Sequence, residues 1–75
     1  MVDPQSAELA YMQVARLLAE RIASGELTGR MPAERALAEE YEVSYGTVRR
    51  AIAILRDRGL VRSVHGRGTF VADRP

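Results

Sequence analysis

Apolar residues recur at helical spacing along most of the chain and change to strand-like spacing near its end. The first periodic segment covers residues 10–24, and the glycine at position 25 suits a helix end. Its apolar face is formed by Tyr11, Val14, Leu18 and Ile22. We therefore predict a first helix over 10–24. The polar, proline-containing residues 1–9 are expected to form a flexible arm.

A second, shorter helix is predicted over residues 34–41, whose apolar and charged side chains fall on opposite faces. Ala33 stands at the N-cap position, where a Ser or Asp side chain would accept a hydrogen bond. Its absence costs about 1 kcal/mol. Glu34 in the first turn offsets part of that cost through the helix dipole.

A third helix over residues 44–58 has the strongest periodicity in the chain. Ser44 is a good N-cap residue, and Gly59 suits the helix end. The apolar stripe at i, i+3, i+4 and i+7 consists of Val48, Ala51, Ile52 and Leu55. Because only a short turn separates this helix from the second, the pair is predicted to form a helix-turn-helix.

Beyond position 59 the pattern predicts a β-hairpin. Strand-like runs over 60–64 and 69–72 flank a turn over 65–68 that contains two glycines. A two-stranded hairpin is only marginally stable alone, so we expect Leu60, Val64 and Phe70 to pack against the helices.

The predicted fold class is mainly α with a small β-hairpin, that is, a winged helix-turn-helix in which three helices precede a two-stranded wing. The domain is predicted over 10–72, with 73–75 as a tail or the start of a linker. A chain of 75 residues buries about 60% of its unfolded surface, which is enough for one small domain.

Positive charge is concentrated in the second part of the chain. Residues 1–42 hold four arginines and eight acidic residues, whereas residues 43–75 hold seven arginines and two acidic residues. The two parts therefore carry −4 and +5, although the whole chain carries only +1. Every basic residue is arginine, whose planar fork of donors suits phosphates and guanine edges. This distribution indicates a polyanionic partner.

Composition narrows the possible functions. With no cysteine and one histidine, the chain offers neither disulfides nor a cluster of metal ligands, and we expect no cofactor. No long apolar run or secretory signal is present, so a membrane span is not expected and the cytoplasm is the expected location. Ser44, Asp57 and His65 fall on a helix cap, a helix end and the wing, which does not suit a catalytic triad. We do not expect an enzyme.

A series of short motifs spans the chain from Tyr11 to Ala72. They are Tyr11-x-Gln13-Val14-Ala15, Ile22-Ala23-Ser24-Gly25-x-Leu27, Pro32-x-Glu34-Arg35-x-Leu37-Ala38-Glu39-Glu40-Tyr41, Val43-Ser44-x-x-Thr47-Val48-Arg49-Arg50-Ala51, Gly59-Leu60 and His65-Gly66-Arg67-Gly68-Thr69-Phe70-Val71. Together they resemble the DNA-binding domain of the GntR family of bacterial transcription regulators.

The resemblance implies sequence-specific binding to a roughly palindromic double-stranded DNA operator by a homodimer, with repression as the outcome. It places the recognition helix 44–58 in the major groove and the wing 60–72 at the minor groove and backbone. The residues it assigns to DNA are Arg35, then Ser44, Tyr45, Gly46, Thr47 and Arg49 at the front of the recognition helix, Arg50 as a backbone contact, and His65, Gly66 and Arg67 at the wing tip.

The position of these residues on the predicted third helix is consistent with such contacts. Helix N-termini favour anions, which suits Ser44 and Thr47 as phosphate contacts. Arg49 follows buried Val48 and therefore lies about 100° around the helix from it, pointing outward. An outward arginine in the major groove is the commonest guanine contact.

Two positions depart from the family pattern. The family usually has serine at the position of Ala33, so one cap or phosphate contact is missing. It often has a base-contacting arginine where this chain has Tyr45. We predict that Tyr45 instead contacts a phosphate or a thymine methyl group.

Other interpretations remain open at this point. A winged helix can serve as a protein-interaction or dimerisation module, although Arg49 and Arg50 on the outward face of the third helix argue against an apolar partner surface. GntR regulators normally continue into a second domain that binds a metabolite and dimerises. We therefore expect a fragment of a longer regulator, a minimal regulator, or the first module of a fusion to an aminotransferase-like domain. A small-molecule effector is expected only with such a further domain.

Overall fold

Three helices precede a two-stranded antiparallel sheet in the computed structural model, which describes residues 1–72. The elements are α1 (Ala10–Ala23), α2 (Glu34–Tyr41), α3 (Tyr45–Asp57), β1 (Val61–Val64) and β2 (Gly68–Val71). The predicted fold class is thereby confirmed. The predicted tail 73–75, with Arg74, lies outside the described residues. No helix within 1–72 is long and apolar enough to cross a membrane.

The core is formed by the apolar faces of the helices, with α1 and α2 packed against α3. Its largest fully buried side chains are Val14, Leu18, Leu37, Val48, Ile52 and Leu55. All six lie on the faces that the periodicity predicts. Full burial of one such side chain contributes about 1.5–3 kcal/mol, so these helix faces provide much of the driving force for folding.

The turn between α2 and α3 depends on a left-handed residue. Glu42 has φ 56° and ψ 46°, a conformation that reverses the chain directly after α2. The amide of Val43 then donates to the carbonyl of Ala38 at 3.0 Å, which satisfies the end of α2. This closure brings Ser44 into position to begin α3.

The wing directs a different set of side chains inward than the sequence suggested. The register pairs Val61 with Val71 and Arg62 with Phe70. Val61 is buried and Val71 packs against the core, together with Leu60 as predicted. The expectation that Val64 and Phe70 pack on the helices is wrong, because side chains alternate between the two faces of a strand. Phe70 is half-exposed and shares its face with Arg62, whose guanidinium carbon lies 5.8 Å from the ring centroid.

The segment before α2 pairs with β2 of the wing through backbone hydrogen bonds. Arg30 forms an isolated antiparallel bridge with Phe70. The amide of Met31 donates to Thr69 at 2.8 Å, and the amide of Val71 donates to Gly29 at 2.7 Å. The hairpin is thus attached to the helical body along β2, which supplies the support that an isolated hairpin lacks.

The segment 1–9 contains neither helix nor strand, but it contacts α1 through one buried polar side chain. Gln13 accepts from the amide of Asp3 at 2.7 Å. Its side-chain nitrogen donates to the carbonyls of Asp3 at 2.9 Å and Glu8 at 2.7 Å. The flexibility of this segment stays a prediction, and these three bonds are the contacts that would limit it.

Candidate nucleic-acid interface

The N-terminus of α3 is capped by the hydroxyl group of Ser44. Ser44 Oγ accepts from the amide of Thr47 at 3.0 Å and donates to Thr47 Oγ1 at 2.9 Å. The Ser44 hydroxyl is thus hydrogen-bonded within the first turn of its own helix. Gly46 lies exposed in the same turn, and a Cβ atom there would meet only Ser44 Oγ, at 4.0 Å. The surface over this first turn is therefore open to a close partner.

Arg49 and Tyr45 form an exposed pair one turn apart on α3. The Arg49 side chain is 66% exposed, and its guanidinium carbon lies 5.9 Å from the Tyr45 ring centroid. Tyr45 itself is 48% exposed and is one of four exposed large apolar side chains within residues 1–72. Both side chains are therefore accessible on the surface of α3.

Glu34, at the start of α2, is the acidic neighbour of this pair. A hydrogen bond to Glu34, reinforced by its negative charge, raises the pKa of the Tyr45 hydroxyl above its ordinary value. Arg49 Nε lies 4.0 Å from Glu34 Oε1. The sequence suggested a helix-dipole role for Glu34 but gave no reason to expect it beside the residues predicted to contact DNA.

Arg35 belongs to the same cluster. It is exposed and lines a shallow depression with Tyr45, Ala38, Val43 and the acidic Glu39. Its positive charge acts on Tyr45 in the opposite direction to Glu34, by lowering the pKa. The start of α2 and the first turns of α3 thus bring Arg35, Tyr45 and Arg49 together.

Arg50 lies apart from this cluster, on the side of α3 that faces α1. Its guanidinium carbon lies 4.3 Å from the ring centroid of Tyr11, within the range of a cation–π interaction. Tyr11 was expected in the core but is only half-buried, because its ring carries this arginine on the surface. A backbone phosphate contact by Arg50 stays a prediction. The Tyr11 ring would restrain the Arg50 guanidinium in such a contact.

The wing tip is a tight turn with all three predicted residues on its surface. The amide of Arg67 donates to the carbonyl of Val64 at 2.9 Å, which closes the turn. His65, Gly66 and Arg67 are exposed. The fold therefore presents them at one end of the domain.

Acidic side chains are engaged mainly away from these surfaces. Within residues 1–72, Arg16 pairs with Glu8 and Glu20, and Arg21 pairs with Glu26 and Glu40. Beyond position 43, Arg49 is the one arginine of the described part of the chain with an ion pair. Most arginines beyond position 43 in the described part of the chain therefore have no acidic partner. No three potential metal ligands cluster among residues 1–72.

Comparison with known proteins places the chain in a family. The model of the family "Bacterial regulatory proteins, gntR family" matches residues 10–71. The chain is 41% identical over 73 residues to the HTH-type transcriptional regulator RB1450 of Rhizobium meliloti (strain 1021), covering 95% of this chain and 30% of that protein. It is 40% identical over 73 residues to the HTH-type transcriptional repressor NagR of Bacillus subtilis (strain 168), with the same coverage.

Among solved structures, the DNA-binding domain of AraR in complex with operator ORX1 superposes with a TM-score of 0.84 at 36% identity. The match covers 96% of this chain and 92% of that domain. The present chain spans about 30% of the length of the curated relatives and nearly all of the AraR domain. The family of these relatives consists of transcription regulators rather than enzymes. On its sequence and its winged helix-turn-helix fold, the chain belongs to the GntR family of bacterial regulatory proteins.

Proposed function

We propose that the protein binds a palindromic operator as a homodimer and represses transcription. Helix α3 would enter the major groove, and the wing would lie at the minor groove and backbone. In this arrangement Arg49 would contact a guanine edge, and Tyr45 would contact a phosphate or a thymine methyl group. Arg35, Ser44, Thr47 and Arg50 would contact phosphates, and the wing tip would approach the backbone through His65, Gly66 and Arg67.

The strongest support for this proposal comes from the solvent-exposed face of α3. An α-helix with its side chains is about 10–12 Å wide, which fits the major groove at about 12 Å. On α3 this face combines an open first turn at Gly46 with the exposed, electrostatically coupled pair Tyr45 and Arg49. Groups that we propose to contact phosphates and bases thus lie on one helix.

The competing role as a protein-interaction module receives less support. Such a module would expose apolar residues along α3, whereas Tyr45 is its one exposed large apolar side chain and is flanked by arginine. The NagR protein is named as a repressor and the AraR domain was solved with an operator, which favours the DNA-binding role. A location in the cytoplasm follows from a genomic target. A small-molecule effector belongs to the proposal only if a further domain accompanies these residues.

Selection from a randomised duplex pool tests this proposal. The chain, its Arg49→Ala variant and its Arg58→Ala variant would be used in parallel at moderate salt. Arg58 is exposed near the end of α3 but lines a different surface depression, with Met12 and Ile54, and so provides a matched control. We expect the wild type and Arg58→Ala to enrich the same palindrome and Arg49→Ala to lose it. Enrichment of no motif by the wild type would refute sequence-specific binding.

A further inference from the structure

A basic groove separates α3 from the wing. It has a volume of about 560 Å³ and is lined by Ile52 and Arg56 of α3, Arg67 of the wing tip, and Arg30 of the segment before α2. Glu34 forms part of its wall and also contacts the Tyr45 and Arg49 pair. The groove is therefore continuous with the proposed base-contacting cluster on one side and with the wing tip on the other.

The arginines of this groove have no acidic partner within residues 1–72. Arg30, Arg56 and Arg67 are exposed, and none of them forms an ion pair in the described part of the chain. The one carboxylate in the wall, Glu34, faces Arg49, whose Nε lies 4.0 Å from Glu34 Oε1. A groove lined by one sign of charge raises the local concentration of oppositely charged ligands, so this groove favours an anion.

Arg30 is held at the groove by backbone contacts. Its bridge to Phe70, with the flanking bonds to Thr69 and from Val71, fixes the segment along β2. The Arg30 Nε atom lies 3.4 Å from the position that a Cβ atom on Gly68 would occupy, and Gly68 has φ +111°. A Cβ atom at position 68 would be in van der Waals contact with the guanidinium, which shows that the Arg30 side chain lies against the base of the wing.

We propose that this groove binds a phosphodiester of the operator backbone, held by Arg30 and Arg56 with Arg67 at its outer edge. This inference rests on the proposed DNA-binding function and adds Arg30 and Arg56 to its contact surface. Two guanidinium groups on separate elements can approach one phosphate from two directions with charge-assisted hydrogen bonds. Because such a contact ignores base identity, it fixes the position of α3 relative to the wing on the duplex.

The test compares salt dependence among variants of the full chain on the duplex recovered by selection. The Arg30→Gln/Arg56→Gln variant should bind about five- to tenfold more weakly at moderate salt. Its slope of log K against log salt should be shallower by about 0.9 for each phosphate that the variant no longer neutralises, with base preference unchanged. Arg58→Gln makes the same chemical change away from the groove and should retain the wild-type slope. Equal slopes for the two variants would overturn the inference.

Neutral methylphosphonate linkages, placed one at a time, locate the contact. At one linkage in each half-site, the substitution should weaken the wild type and have no additional effect on Arg30→Gln/Arg56→Gln. A fully additive decrease in affinity at every linkage would contradict a shared contact. Melting curves of both variants, measured by circular dichroism, should match the wild type because these exposed side chains contribute little to the core.

A free phosphoryl ligand is the competing occupant of the groove. Inorganic phosphate would be titrated into the isotopically labelled chain while the Nε resonances of Arg30 and Arg56 are followed. If phosphate shifts these resonances and the duplex leaves them unchanged, the groove binds a small phosphorylated molecule and the backbone assignment is wrong. If the wild type binds duplexes without sequence preference, the proposed function fails, yet the difference in slope between variants still tests the groove.

Discussion

The caps of α2 and α3 provide a quantitative test of how this sequence determines its fold. Ser44 and Ala33 occupy equivalent positions, with φ −69°, ψ 156° and φ −60°, ψ 145°. Ser44 accepts the Thr47 amide at 3.0 Å, whereas Ala33 makes no side-chain cap. We predict that Ser44→Ala destabilises the domain and that Ala33→Ser stabilises it, because the backbone at both sites is already in the cap conformation.

The magnitude follows from the size of the chain. Loss of a serine N-cap costs about 1 kcal/mol. At about 2.1 cal/mol/K per residue, unfolding of 75 residues has an entropy of about 0.16 kcal/mol/K. Each substitution should therefore shift Tm by about 6 °C, downward for Ser44→Ala and upward for Ala33→Ser. The double variant should melt close to the wild type if the two caps are independent.

Thermal unfolding followed by far-UV circular dichroism, without DNA, measures these shifts. Ser63→Ala is the control, because Ser63 is exposed and its hydroxyl makes no hydrogen bond within the described residues. A Ser44→Ala shift no larger than that of the control would refute the cap argument for α3. A lower Tm for Ala33→Ser would refute it for α2.

Four further predictions concern single side chains. Leu37→Ala removes a fully buried side chain and should cost about 2–5 kcal/mol, seen as a loss of the cooperative urea transition or a large shift of its midpoint. Tyr45→Ala should change either the affinity for the selected duplex or its base preference, and no change in both would contradict a DNA contact. Glu34→Gln should lower the pKa of Tyr45 towards its ordinary value, because the raising carboxylate is gone, and an unchanged titration of the Tyr45 ring resonances would contradict this cause. Gln13→Ala should speed amide exchange over residues 3–8, and unaltered exchange would show that its three hydrogen bonds do not restrain the arm.

The helices could be predicted from the sequence because each has a regular apolar face and clear end signals. Ser44 and the stripe from Val48 to Leu55 define α3 locally, and the structure places its first residue at Tyr45. The prediction for the wing was weaker. Four-residue strands leave the choice of inward face open, and the structure directs Val61 rather than Phe70 to the core.

Long-range contacts were beyond local sequence patterns. The bridge between Arg30 and Phe70 joins segments forty residues apart, and no periodicity indicates it. The proximity of Glu34 to Tyr45 likewise depends on how α2 crosses α3. The proposed DNA-contacting residues followed from the family resemblance and the outward positions on α3. The electrostatic effect of Glu34 on Tyr45 could be recognised only from the folded structure.

A contact between Arg49 and a specific base would be detected by measuring binding to duplexes with single base-pair substitutions. Affinities of the wild type and Arg49→Ala would be measured on the selected duplex and on every single substitution in one half-site. We predict that the wild type loses about 1–3 kcal/mol at a guanine position and that Arg49→Ala no longer discriminates at that position while retaining preferences elsewhere. A uniform decrease in affinity, with discrimination retained at every position, would contradict the assignment and make Arg49 a backbone contact.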